Sequence, residues 1–216
     1  MSATPVLLTS GDPSGVGPEI AVKAWEAGER FVWVGDPRHL PDGCKWRELA
    51  DLAEVRQSGA MPILRHDFAA PAKPGQPDPN NARGVIEVIE RAVALVQSGM
   101  AGAICTAPIH KKALKDGAAF AFPGHTEFLA HLAGVDRVVM MLACPELRVV
   151  PATIHIALSE VSAALTEALL EDTIRITHAS LMRDFGIPAP RLTVAGLNPH
   201  AGEGGAMGWE EERMIR

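Results

Sequence analysis

Apolar positions in this chain fall into short runs separated by breaks rich in Gly and Pro. "PVLLT" (5–9) is compact, apolar and ends at such a break, as a buried strand does. Pro18 suits the first turn of a helix over "EIAVKAWEAG", and Gly28 suits its end. "FVWVG" (31–35) is a second strand. Strand, helix and strand in that order predict a parallel pair joined by a right-handed crossover. Within "NNARGVIEVIERAVALVQSG", Val85, Val88, Ile89, Ala92 and Val96 recur at helical spacing, the clearest amphipathic helix here. "GAICTAP" (102–108) predicts a buried strand, and "GHTEFLAHLAG" a short helix closed by Gly134. "VVMMLA" (138–143) and "LRVVPATIHIAL" (147–158) predict a strand pair turning at "CPE". Residues 159–185 are helical with a break near Thr166, and "RLTVAGL" (191–197) is a further strand. Pro71, Pro74, Pro77 and Pro79 mark residues 65–83 as a mobile loop excursion. The pattern is α/β with a mostly parallel sheet, and no internal repeat interrupts it.

Composition narrows the function classes. The 216 residues suit one large α/β domain or two small ones, and 47% hydrophobic residues supply a core. The net charge is −6 and no run of Lys and Arg stands out, which argues against nucleic acid as a partner. An anionic substrate would have to be held by local cations. Cys44, Cys105 and Cys144 are odd in number and form no C-x-x-C, the usage of reduced thiols in a cytoplasmic protein. The N-terminus lacks a basic region, and no run approaches the ~18–20 apolar residues of a spanning helix. The expectation is a soluble protein without a membrane partner.

Several short segments carry chemistry. In "PATIHIAL" the alternation of a strand puts Ile154 and Ile156 on a core face and His155 on the other. His200 follows a predicted strand in "LNPHAGEGG", where glycines leave room for close approach. A hydrogen-bonded structural histidine and a solvated loop histidine are the bland alternatives. Together the pair suggests a metal, although a catalytic zinc usually takes three protein ligands. In "FPGHTEF", His125 and Thr126 stand at a helix start, where free backbone N–H groups favour an anion. Thr126 could equally serve as the helix cap. "TAPIHKKAL" places His110, Lys111 and Lys112 just after a strand, as a phosphate or carboxylate grip or as solvated lysines. "GDPSGVGPE" fits neither G-x-G-x-x-G nor a Walker loop; it is a tight turn that offers Asp12.

In combination these segments are more specific. "SGDPSGVGPEI", "TAPIHKKAL", "FPGHTEFLA", "ATIHIAL" and "LNPHAGEGGAMG", in this order, resemble the 4-hydroxythreonine-4-phosphate dehydrogenase family of vitamin B6 biosynthesis. The resemblance implies an α/β/α layered, two-lobed fold like that of isocitrate and isopropylmalate dehydrogenases, which binds NAD without the Rossmann fingerprint. Lobes at 1–128 and 129–216 are expected, the second carrying the metal histidines. By resemblance His155 and His200 match two of three ligands to a divalent metal (zinc, magnesium or cobalt), and His125 and Thr126 match the substrate-binding pair. The implied reaction uses NAD or NADP to oxidise 4-phosphooxy-L-threonine, whose product loses CO₂ to give 3-amino-2-oxopropyl phosphate, in a homodimer. Lys111 and Asp12 are the candidates for proton transfer.

The family pattern extends beyond Arg216, and "GWEEERMIR" resembles the first turns of a helix that continues. The expectation is a C-terminally incomplete member, without its third metal histidine and with its own activity left open, with apolar surface exposed in its second lobe. Threonate or erythronate 4-phosphate is the alternative substrate class. A non-catalytic phosphate-binding module and a metal-dependent hydrolase are the alternatives from other classes.

Overall fold

The computed structural model describes residues 4–55 and 59–215, in two compact units, 1–136 and 137–216. A division after residue 128 would cut the helix His125–Ala133; the contacts divide beyond that helix.

The first unit is built on five parallel strands, β1 (Val6–Thr9), β2 (Val32–Gly35), β3 (Trp46–Glu48), β4 (Met61–Arg65) and β5 (Ala103–Thr106), in the order β3-β4-β2-β1-β5. Every residue of β2 is buried, as expected for a central parallel strand covered on both faces. Period-two alternation sorts its side chains between two cores. Val32 and Val34 join Leu7 and Leu64 under helix α2 (Ala82–Gln97), while Trp33 joins Leu8, Met61 and Ile63 beside Ala21 of helix α1 (Gly17–Glu26). Helices α3 (Lys111–Ala118) and α4 (His125–Ala133) add Leu114 and Phe128 to the α2 side. The expected α/β/α layering is therefore present in this unit. The apolar positions read as one face of α2 pack as predicted: Val85, Val88, Ile89 and Ala92 are buried and Val96 partly so.

Two expectations change here. β5 lies at the sheet edge, so its residues alternate between exposed and half-buried rather than being fully buried. The Pro-rich excursion is pinned at defined points: Ala70 N–H donates to Asn81 Oδ1 (2.9 Å) and Gly75 N–H to Ser14 C=O (2.8 Å). Just after it, α3 crosses the turn at Pro79 so closely that a Cβ on Gly117 would overlap the Pro79 carbonyl and meet the Ala82 Cβ at 2.8 Å. Gly117→Ala gains up to about 1 kcal/mol of helix propensity. Overpacking against backbone that cannot swing away costs about 1–3 kcal/mol. Net destabilisation is the expected result of urea unfolding, and an unchanged or raised midpoint would contradict the close crossing.

The second unit contains an antiparallel pair, β6 (Leu142–Ala143) and β7 (Arg148–Val149), turning at the predicted "CPE" with Cys144 N–H bonded to Leu147 C=O. Helix α5 (Val161–Ala164) ends before Thr166, whose Oγ1 accepts the Leu169 N–H and so caps helix α6 (Glu167–Arg183). The break predicted near Thr166 is this cap. Helix α7 (Glu210–Met214) forms as predicted within the described residues; Arg216 lies outside them. The strand predicted over 147–158 is paired only at β7, and residues 191–197 form no ladder. A strand exists only where a neighbouring backbone accepts its N–H and C=O groups, and none among the described residues does so there. Ile156 and Leu158 are accordingly exposed, and Leu142, Leu147 and Val149 are exposed in the short β6–β7 pair and its turn.

Candidate active site

The sheet order reverses at β1. The chain leaves β1 through α1 toward β2, and later returns from β4 through α2, on the opposite face, to β5 on the other side of β1. In parallel α/β sheets the loops at such a switch point diverge beyond the carboxyl ends of the strands and leave a crevice. Here those loops are 10–16 and 107–110, which carry Asp12 and His110. They are clamped together: Asp12 N–H donates to Pro108 C=O at 2.9 Å. Gly11, at φ +66°, admits that carbonyl where a Cβ would overlap it. Asp12 is nearly buried, and its Oδ1 accepts the Ser14 N–H (2.9 Å).

His110 is the N-cap of α3, its Nδ1 accepting the Ala113 N–H at 3.1 Å. The first helical residue is Lys111. Its Nζ lies 3.7 Å, and the Glu127 Oε2 3.6 Å, from the position a Cβ would take on Gly124, the N-cap of α4. Lys112 is tied instead to Asp116 one turn on. At the α4 start no side chain caps the helix, so Thr126 does not act as the cap that was its bland alternative. His125 is half-buried, with Nε2 shielded and without a hydrogen-bond partner among the described residues. Burial, reinforced by the Lys111 charge, lowers its pKa below the usual imidazole value, so the ring is neutral at pH 7. Lysine ammonium, neutral imidazole and helix-start N–H groups lie near this N-cap together with the Glu127 carboxylate, a set that could hold an anion through Lys111 and the backbone donors.

The second unit holds the two metal candidates. His155 is exposed and sits at φ +58°, in the left-handed region, so the strand alternation expected around it does not apply and Ile156 is exposed too. His200 occupies a turn in which Ala201, Gly202, Glu203, Gly204 and Gly205 all have positive φ. Its backbone N–H donates to Asn198 Oδ1 (2.9 Å), and Asn198 N–H donates to Glu211 Oε1 (2.8 Å), so buried Glu211 of α7 anchors the turn. The His200 Nδ1 is 2.8 Å from Glu203 Oε1. A carboxylate there holds the proton on Nδ1 and leaves the Nε2 lone pair outward, the arrangement of a metal-ligating histidine. Among the described residues no cluster of three or more His, Cys, Asp or Glu forms a metal-holding group. Glu203, Glu211 and Asn81 were missed in the sequence. Only Glu203 left a trace, through its H-x-x-E spacing.

The family model for "Pyridoxal phosphate biosynthetic protein PdxA" matches residues 28–216. The 4-hydroxythreonine-4-phosphate dehydrogenase of Paracoccus denitrificans is 62% identical over 217 residues, spanning 99% of this chain and 67% of that protein. The crystal structure of the Klebsiella pneumoniae enzyme of that name gives a TM-score of 0.90 at 33% identity, over 99% of this chain and 70% of that one. The Burkholderia phymatum enzyme gives 0.87 at 38% identity, over 99% and 69%. On this evidence the chain belongs to the family of pyridoxal phosphate biosynthetic proteins PdxA.

Proposed function

We propose that this chain catalyses the nicotinamide-dependent oxidation of 4-phosphooxy-L-threonine, followed by loss of CO₂, as 4-hydroxythreonine-4-phosphate dehydrogenase. Family membership at 62% identity carries the reading, and the Lys111 ammonium beside the N-cap of α4 supports an anionic substrate. Lys111, His125 and Thr126 bind and orient the phosphate, which lets remote binding energy hold the C3 hydroxyl for reaction. Neutral His125 hydrogen-bonds without competing with Lys111 for charge. Asp12 is the base we propose for the hydroxyl proton. The nicotinamide, NAD in the first instance, takes the hydride. The Nε2 of His200 and the imidazole of His155 are the donors that would hold a divalent metal. When bound, it supplies Lewis-acid polarisation of the substrate oxygens. The paired Nδ1 of His200 supports that fit. A homodimer is proposed from the family resemblance, and a cytoplasmic location from the three free thiols. No helix among the described residues is long and apolar enough to cross a membrane.

The test is NAD⁺ reduction by the protein with 4-phosphooxy-L-threonine and a divalent metal, beside threonate and erythronate 4-phosphates. Faster turnover of a sugar-acid phosphate would overturn the substrate, and no reduction with any of them would overturn the dehydrogenase. Within that assay Lys111→Met should raise KM about tenfold to a hundredfold with little change in kcat, since a hydrogen bond to a charged group is worth about 1.5–3 kcal/mol. Lys112→Met should leave both constants alone, because an exposed i,i+4 pair contributes only about 0.3–0.5 kcal/mol. A fall in kcat with constant KM would move Lys111 from anion binding to proton transfer.

A further inference from the structure

Asn81 is 1% exposed and stands at the turn into α2. Its Oδ1 accepts the Ala70 N–H at 2.9 Å, which fixes the amide so that Nδ2 is the donor left over, and Nδ2 has no partner among the described residues. The residue lines a cavity of about 10 Å³ with Asp12, Asp78 and His110, and Val85 and Leu114 line it as well. Each polar neighbour has a defined remaining capacity. Asp12 Oδ1 is committed to Ser14 N–H and Asp78 Oδ1 to Asn80 N–H, leaving one oxygen of each carboxylate to accept. His110 accepts through Nδ1, which leaves Nε2 as the nitrogen that can donate.

The residues that line this one small space therefore retain two donors and two acceptors. A cation would face two N–H groups, an anion would face two carboxylates, and an apolar group would leave the Asn81 amide unsatisfied. A neutral ligand that both accepts and donates fits all four. The volume matches about one water, which needs roughly 10–15 Å³ and two to four polar partners. We propose that this cavity is a binding site for a single ordered water. It accepts from Asn81 and His110, donates to Asp12 and Asp78, and ties the loop after β1 to the turn before α2 and the cap of α3. Asn81 is then a positioning residue for the Asp12 loop, held through the water. This site stands whether or not Asp12 is the base of the proposed reaction.

A crystal structure of the protein at a resolution that orders solvent is the test. The expected result is one peak at hydrogen-bond distance, about 2.7–3.2 Å, from Asn81 Nδ2 and from at least one of the two carboxylates. Asn81→Asp keeps the acceptor for Ala70 N–H but turns the inward donor into a third acceptor, and its structure should lack that peak. A dry cavity in the parent protein, a peak with cation contacts of about 2.0–2.6 Å, or direct donation from Asn81 to Asp12 would overturn the proposal. So would a peak unchanged in the Asn81→Asp variant.

Discussion

His200→Ala should abolish tight divalent-metal binding and lower kcat/KM for 4-phosphooxy-L-threonine on the order of 10³-fold, because Lewis-acid stabilisation is worth several kcal/mol and each 1.36 kcal/mol is about tenfold. The ring meets the requirements of a ligand through its surroundings. Glu203 engages Nδ1, Asn198 holds the backbone, and Glu211 anchors Asn198. His155→Ala should show the same loss. Glu203→Gln should be milder, about tenfold to a hundredfold in metal affinity, because it disturbs the orientation and basicity of a ligand and removes none. Metal content measured after dialysis separates this reading from a general folding defect. Parent-like metal content in His200→Ala, in protein that unfolds at the parent temperature, would remove His200 from the ligand set whatever its activity.

The largest stability effect is expected at Asp36, a fully buried carboxylate at the end of β2. It accepts the Phe68 N–H (2.9 Å), the Arg38 N–H (3.0 Å) and the Arg38 guanidinium, whose Nη2 also donates to Phe68 C=O. This joins the ends of β2 and β4. Burial alone would raise the Asp36 pKa. The Arg38 side chain, the two backbone N–H groups and the nearby His39 outweigh it and bring the value to about 2. A folded-state pKa depressed below the unfolded value contributes stability above the unfolded pKa. That contribution, about 2 kcal/mol, is lost as pH falls from about 4 through 2. Arg38 is half exposed, so its share is discounted for solvent screening, and the backbone donors account for the rest. Asp36→Ala should cost about 2–4 kcal/mol in urea unfolding near pH 7, mainly by leaving the Phe68 N–H without an acceptor. Asp36→Asn should cost less and flatten the acid limb of stability between pH about 4 and 2. An acid limb identical to the parent's would show that other carboxylates carry it.

Local pattern was enough for much of the first unit. Leu7, Val32 and Val34 lie in runs too apolar for anything but a covered strand, and α2 shows its stripe at the helical period. The chemistry at His125 and Lys111 was legible because it sits at element ends, which glycine, proline and capping residues mark in any sequence. β3 and β4 went unread because β3 carries Arg47 and Glu48 and β4 carries Pro62, which hides a strand pattern. The sequence on its own determined the α/β alternation and the family, and it named candidate site residues. The tertiary structure decided that β5 is an edge, that Thr126 is free of capping, that Glu203 orders the His200 ring, and that residues around His155 adopt no strand. Alternation records which side chains would share a face. Whether a ladder, an edge or a hydrogen bond exists depends on partners remote in sequence, and no local period encodes those.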